Sequence, residues 1–274
     1  MSGHPWLSIR RGAAPLVVSV PHVGTDLGPQ PERFVSPWLA RKDADWHVDA
    51  LYGFALDFDA TILRTAMSRS LIDVNRDPSG VSLYPGMATT ELCPTTTFDG
   101  DPLYREGFAP DAAEIAARRD LWFDPWHAAL RTEIERLRES YGRVVLYDCH
   151  SIRSVVPRLF EGALATFNLG TNSGASCDPA LREGVAAALA ASGESFAVDG
   201  RFKGGWITRS HGRPREGVHA LQMELACRAY MEEPAAPTPE TWPTPLDPLR
   251  AGPTRRTLRA VFDRIDAWLR ERHS

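Results

Sequence analysis

Cysteine is scarce in this chain. Cys93, Cys149, Cys177 and Cys227 are the four in 274 residues, and no two are spaced as C-x-x-C. That excludes a disulfide-stapled scaffold and leaves His and carboxylate side chains as the candidate metal ligands. No apolar run approaches the roughly 18 residues of a membrane-spanning helix. Neither charge sign dominates: 31 Lys+Arg against 35 Asp+Glu leave a net charge of −4. The basic field that nucleic acid or an anionic membrane surface would require is therefore missing. The opening residues, Met1 to Trp6, hold no basic stretch followed by an apolar one. No signal peptide is expected, and a reducing, cytoplasmic setting is the default. No internal repeat is visible.

The chain does contain the material of an ordinary globule, 43% hydrophobic and 24% charged. Its length allows one large α/β domain or two lean ones. Short β-branched runs at Pro15–Val20, Ala60–Ala66, Arg143–Cys149 and Val218–Leu225 read as strands, with Gly162–Leu169 as a fourth candidate along the chain. Apolar spacings of three and four predict helices over Asp43–Leu56, Pro110–Phe123, the stretch after Asp124-Pro125, and Asp178–Ala191. Asp124-Pro125 and Asp178-Pro179 both read as an N-cap followed by proline at the first helical position, and Gly142 reads as a C-terminal cap. Strands alternating with helices predict an α/β fold with a mainly parallel sheet. Tyr84–Tyr104 reads as a long loop. Residues 1–233 are expected to form the catalytic domain. The seven prolines of Pro234–Pro253 read as a surface strap, followed by an amphipathic helix carrying Leu258, Val261, Phe262, Ile265, Trp268 and Leu269; the whole of 234–274 is expected to pack on that domain.

His22 and His150 each follow a predicted strand. Ligands of open α/β sheets bind beyond the carboxyl ends of the strands, so these two histidines are placed to meet. Two His and one carboxylate with an open position is the pattern of a catalytic zinc site. The carboxylate candidates are Asp26, Asp43, Asp45 and Asp49. Asp45 is the choice, and His47 competes with it. Asp148, two residues before His150, is expected to orient that ring. Arg69, Asn75 and Arg76 bring two guanidinium forks and an amide close together, suited to carboxylate recognition. Alternation places Gln222 and Glu224 on one face of the last strand, with His219 on the other. Glu224, in an apolar strand, is a candidate general base beside an activated water. The glycine-rich Gly200–Pro214 segment reads as a loop approaching a small anion, with Arg209 and Arg213 as its interesting cations. His127 reads as a packing residue, while His4 and His273 read as solvated.

The ordered set SVPHVG, DADWHVDALY, SRSLIDVNRDP, TTFDGDPLYREG, DCHSIRSVVPRLFEG, FNLGTNSGASCDP, GRFKGGWITRSHG and GVHALQMEL resembles the N-formylglutamate deformylase (amidohydrolase) family from about Pro15 to Met231. More distantly it resembles zinc carboxypeptidases and aspartoacylase. The resemblance implies a three-layer fold, with a mixed but mainly parallel sheet between helices. It implies zinc, or another divalent ion such as Co, Fe or Mn, on His22, Asp45 and His150. It also implies hydrolysis of N-formyl-L-glutamate in histidine degradation. Glu224 would be the base, Arg69 would hold the oxyanion, Asn75 and Arg76 would bind one carboxylate, and Arg209, or else Arg213, the other. Thr25 stands where the distant relatives carry the Glu of His-x-x-Glu, and His211 follows Ser210 where relatives tend to carry His-Tyr. The rival readings are hydrolysis of another N-acyl acidic amino acid, and a non-catalytic protein binding an anionic amino acid.

Overall fold

The computed structural model describes residues 3–271. Met1, Ser2 and His273 lie outside the described residues. A seven-stranded sheet runs in the order β1-β3-β2-β4-β7-β5-β6. Its strands are β1 (Leu7–Arg10), β2 (Leu16–Val20), β3 (Thr61–Thr65), β4 (Val144–Ile152), β5 (Phe167–Gly170), β6 (Phe196–Val198) and β7 (Val218–Ala226). The central strands β3, β2, β4 and β7 are parallel, whereas β1 pairs antiparallel with β3, and β5 with β7. The helices are α1 (Leu39–Lys42), α2 (Val48–Leu51), α3 (Ala112–Arg118), α4 (Asp124–Tyr141), α5 (Pro179–Ala191), α6 (Trp206–His211) and α7 (Pro248–Glu271). Among the described residues, no helix is long and apolar enough to cross a membrane.

Strand alternation divides the interior in two. Val18, Tyr147, Leu221 and Met223 face one side and pack against Leu181 and Val185 of α5 and against Val261, Phe262 and Ile265 of α7. Val17, Leu146, Val218 and Ala220 face the other and pack against Trp126, Leu130 and Ile134 of α4. The result is the expected three-layer α/β fold, because β2, β4 and β7 are buried along their whole length and need a cover on both faces.

Several local expectations are corrected. The helix predicted over Asp43–Leu56 is reduced to the single turn α2 and a 3-10 segment at Gly53–Phe58, with α1 ending before it at Lys42. His47 takes a left-handed conformation with φ 64°, and the Asp45 amide donates to the His22 carbonyl at 2.9 Å. Tertiary bonding therefore overrides the apolar spacing and turns Asp45 toward the sheet. Pro125 does sit in the first turn of α4, but Asp124 is not its N-cap: it is the first residue of α4, and no side chain caps that end. The N-cap is Asp111, whose side chain accepts from the Glu114 amide, and the helix continues through a π-turn at Arg119–Phe123 into α4. A widened turn of this kind tolerates a proline that lacks an N–H. Asp178 and Gly142 do cap as expected, the latter with φ 74°. His150 lies within β4 rather than beyond it. β1, β6 and α6 are short elements that periodicity did not reveal.

The proline-rich strap is anchored by a buried side chain. Trp242 donates its indole N–H to the Lys42 carbonyl at 2.8 Å and accepts at its own carbonyl from Trp38 at 2.9 Å. His47 reaches the Thr244 carbonyl at 2.9 Å, so this candidate metal ligand is committed to the strap. Beyond the strap, Phe262 of α7 stands edge-on to Tyr147 at 4.9 Å and near Tyr52 at 6.2 Å. We propose that residues 234–274 unfold together with the rest of the chain. Phe262→Ala is expected to cost about 3–5 kcal/mol in chemical denaturation, in one transition shared by near- and far-UV circular dichroism. A separate, earlier far-UV transition would refute a common core.

Candidate active site

The carboxyl ends of β2, β4 and β7 carry the polar residues of one sheet face. Register places His150 beside Glu224, Asp148 beside Gln222, and Ser19 beside Asp148. Neighbouring strands lie about 4.8 Å apart, so these side chains project in parallel from adjacent positions. Their counterparts near the strand starts, Leu146 and Ala220, fill the apolar core. His22 follows β2 immediately, and its ring centroid lies 4.8 Å from that of His150.

His22, Asp45 and His150 converge with ligand atoms within 4.8 Å of one another, all three buried. The His22 Nδ1 to His150 Nδ1 distance is 3.1 Å, His150 Nδ1 to Asp45 Oδ2 is 3.2 Å, and His22 Nδ1 to Asp45 Oδ2 is 3.6 Å. The opposite ring atoms meet carboxylates: His22 Nε2 with Asp73 Oδ1 at 2.8 Å, and His150 Nε2 with Asp148 Oδ2 at 2.7 Å. Each Nε2 therefore carries the proton and leaves the Nδ1 lone pair directed at the shared centre. Two lone pairs and a carboxylate oxygen facing one another require a cation or an added proton between them. Bonds of 2.0–2.1 Å to a tetrahedral ion separate its ligand atoms by about 3.3 Å, and the observed triangle has edges close to that. The residues fit a small divalent metal.

Charge at the site points the same way. Asp45, Asp73 and Asp148 are buried at 1% exposure or less. Arg69 bridges two of them, donating to Asp45 Oδ1 at 3.2 Å and Asp73 Oδ2 at 2.9 Å, with its guanidinium 4.8 Å from the Phe98 ring. Burial opposes charge on His150, but Asp148 and Asp45 outweigh it and hold its pKa well above the ordinary imidazole range. Burial would raise Asp45, yet hydrogen bonds from His150 and His22 bring it below the usual carboxylate range. The position thus stabilises positive charge. Glu224 differs: burial pushes its pKa up to about 7, against the pull of His150 and the arginines.

A cleft opens in front of this centre. His22, His150, Glu224, Gln222 and Arg69 line its inner end, and Asn75, Arg76 and Arg201 line its wall beside Phe98, Ile152 and Leu159. Asn75 is tied into the centre, with Nδ2 at 3.0 Å from His150 Nε2 and 3.4 Å from Asp148 Oδ2. Its Oδ1 accepts from the Ile207 amide at 2.7 Å and so caps α6. Gly205 is pressed against this amide: a Cβ there would lie 2.4 Å from Asn75 Nδ2, so only glycine fits. Its own N–H donates to Gln222 Oε1 at 2.7 Å.

Known proteins agree with this reading of the architecture. Residues 14–231 match the family described as N-formylglutamate amidohydrolase. The chain belongs to that family. An N-formylglutamate deformylase of Pseudomonas aeruginosa is 45% identical, with 98% of each chain covered. One from Pseudomonas putida is 43% identical over 97% of this chain and 98% of its own. The crystal structure of an N-formylglutamate amidohydrolase from Ralstonia eutropha superposes with a TM-score of 0.76 at 28% identity, covering 97% of this chain and 98% of that one.

Within this amidohydrolase-family fold, the candidates separate clearly. His22, Asp45, His150, Glu224, Arg69, Asn75 and Arg76 gather at one place. The rival acids do not join them. Asp43 Oδ2 accepts from the Phe98 amide at 2.7 Å, Asp26 Oδ1 from the Gly28 amide at 2.9 Å, and Asp49 pairs with Arg64 at 3.0 Å. Neither of the expected outer arginines, Arg209 and Arg213, lines the cleft. Arg213 is held by Glu135 and Glu216, each at 2.8 Å. Arg209 donates to the Gly204 carbonyl at 2.9 Å and stands 5.0 Å from the Tyr84 ring, behind the cleft wall rather than in it. Each therefore has a structural partner already. His219 faces away as expected, edge-on to Trp268 at 4.6 Å. His127 is more than packing: it bonds the Val74 carbonyl and His211 Nε2, each at 2.9 Å, and burial presses its pKa down to about 4.

Sequence reasoning missed Asp73, Gln222 and Arg201 as site residues. Asp73 sits between the singled-out Arg69 and Asn75 but was read as a surface partner, since spacing does not report burial. Gln222 shares the face of Glu224, which was the available signal. The raised pKa of Glu224 has a consequence for stability. In the unfolded chain its carboxyl ionises near 4.5, and in the folded protein near 7, so ionisation between these values favours unfolding. In metal-free protein, Glu224→Gln is expected to raise the melting temperature above pH 7, with the gain shrinking toward pH 4.5. A gain that does not vary with pH would place this carboxyl in the ordinary range.

Proposed function

We propose that the chain hydrolyses N-formyl-L-glutamate to formate and L-glutamate, using a divalent metal, zinc in the first instance, held by His22, Asp45 and His150. The observation that carries this reading is the convergence of two imidazole Nδ1 atoms and a carboxylate oxygen beside a buried glutamate, at the inner end of an arginine-lined cleft. The family membership and the names of the Pseudomonas relatives support the substrate. The same reading assigns the enzyme to the cytoplasm and to histidine degradation.

The roles follow from position. A divalent ion at this centre supplies Lewis-acid polarisation of the formyl carbonyl and lowers the pKa of water. Glu224, with a pKa near neutrality, takes the proton of the attacking water and delivers it to the leaving amine nitrogen. Arg69 is held in place by Asp45, Asp73 and the Phe98 ring, and its remaining N–H groups stabilise the oxyanion that forms on the formyl oxygen. Asn75 and Arg76 bind the α-carboxylate. Arg76 is steadied by Thr90, whose Oγ1 accepts from Nη2 at 3.0 Å, and Asp73 lies 3.6 Å away. Asp73 and Asp148 keep the two imidazoles in the tautomer that directs Nδ1 inward.

Two measurements test the assignment. Formate release from N-formylglutamate is expected to fall to background after chelation and dialysis, and to return with Zn, Co, Fe or Mn; full turnover by metal-free protein would overturn the mechanism. Glu224→Gln is expected to bind metal stoichiometrically, by elemental analysis, and to lose about 10²-fold or more in kcat. Near-normal kcat in that variant would remove Glu224 from the base role.

A further inference from the structure

We propose that Arg201, rather than Arg209 or Arg213, is the specificity-determining residue that binds the substrate carboxylate remote from the scissile amide. The inference rests on the N-formylglutamate reading and extends it to the outer end of the cleft. Arg201 is half-buried in the cleft wall. Its guanidinium lies 5.3 Å from the Tyr84 ring and 5.2 Å from the Phe202 ring. Its Nε donates to the Leu159 carbonyl at 2.8 Å and its Nη2 to the Ala88 carbonyl at 3.1 Å. Those two bonds fix the plane of the fork and use two of its five N–H groups. Among the described residues no carboxylate lies within ion-pair distance of it, whereas Arg69, Arg76 and Arg213 each have one.

A guanidinium that is held in one plane, half-buried and without a carboxylate in ion-pair distance is suited to receive an anion from outside. Burial lowers its pKa, and the like charge of Arg76 adds to that effect. A carboxylate in the cleft would relieve both. The order of the cations away from the centre decides which carboxylate this is. Arg69 touches Asp45, and Arg76 follows Asn75, which touches His150. Arg201 contacts Tyr84, Ala88, Leu159 and Phe202, none of them part of the metal centre. Tyr84 closes the arrangement: its hydroxyl accepts from the Lys203 amide and donates to the Gly204 carbonyl, each at 3.0 Å. Arg209, 5.0 Å from the same ring and outside the cleft lining, supports Tyr84 instead of meeting substrate.

The experiment compares Arg201→Gln with wild type on N-formylglutamate and on its neutral isostere N-formylglutamine. The expected result is a loss of about 10–100-fold in kcat/KM for N-formylglutamate, carried by KM, as for a removed charged hydrogen bond. The rate on N-formylglutamine should stay within about threefold. Arg201→Lys should recover part of the loss, because it keeps charge without the fork. Calorimetry with L-glutamate and L-glutamine gives the same comparison without turnover, so an enzyme inactive on N-formylglutamate would defeat the functional reading and still test Arg201. Tyr84→Phe serves as the control for loop collapse, since it removes the hydroxyl latch and keeps the ring. Equal losses on the charged and neutral ligands, no loss on either, or the Arg201→Gln pattern reproduced by Tyr84→Phe would each overturn the proposal.

Discussion

Two imidazole lone pairs and one carboxylate oxygen face each other at the buried inner end of the cleft, and the surrounding structure is what makes that convergence tolerable. Unpaired, the three would repel, and the cost of their burial would have no offset. Asp73 and Asp148 take the outward N–H groups of His22 and His150. The Ser151 amide, at 3.2 Å, and Arg69 hold Asp45. Tyr230 in turn donates to Ser151 Oγ at 2.8 Å. The centre is therefore an array of fixed groups before any cation or substrate enters, the preorganisation that catalysis by electrostatics requires.

The sheet supplies the rigidity. Along β4 and β7, the same face that is apolar at Leu146 and Ala220 becomes polar at Asp148, His150, Gln222 and Glu224. The opposite face stays apolar through Cys149, Met223 and Leu225. Polar groups at the strand ends are thus backed by close-packed hydrocarbon under α5 and α7. Asn75 then couples the centre to the cleft wall, since it touches His150 with one end of its amide and caps α6 with the other. Through Gly205 and Gln222 the wall also returns to β7. The cleft is built on the same strands as the His22–Asp45–His150 cluster, so its wall and that cluster share one frame.

Much of this was legible in the sequence. Short β-branched runs located β2, β3, β4 and β7, and the signature is plainest in β2, β4 and β7, which are buried on both faces. The capping signals at Asp178 and Gly142 held because they act through local backbone geometry. Asp124-Pro125 misled for the complementary reason: a π-turn upstream removes the need for a cap. The Asp43–Leu56 segment misled because one-turn helices keep the spacing of a long one, while the chain between them bends to deliver Asp45.

For the site, the strand alternation of β7 and the strand-end positions of His22 and His150 were enough to bring those residues together, since parallel neighbouring strands leave their carboxyl ends side by side. Sequence by itself determined the α/β class, the sheet face that turns polar at the strand ends, and the residue types available to hold a cation. It did so because period-two alternation and turn chemistry are local. Tertiary structure alone decided that Asp45, and not Asp43 or His47, meets the histidines. It also decided that Arg213 is already ion-paired, that Arg209 lies outside the cleft lining, and that Arg201 lines the cleft with no carboxylate in ion-pair distance among the described residues. Those outcomes depend on which distant groups compete for each side chain, such as Phe98 for Asp43, the strap for His47 and Glu135 for Arg213. Such competition is settled only when the chain has packed.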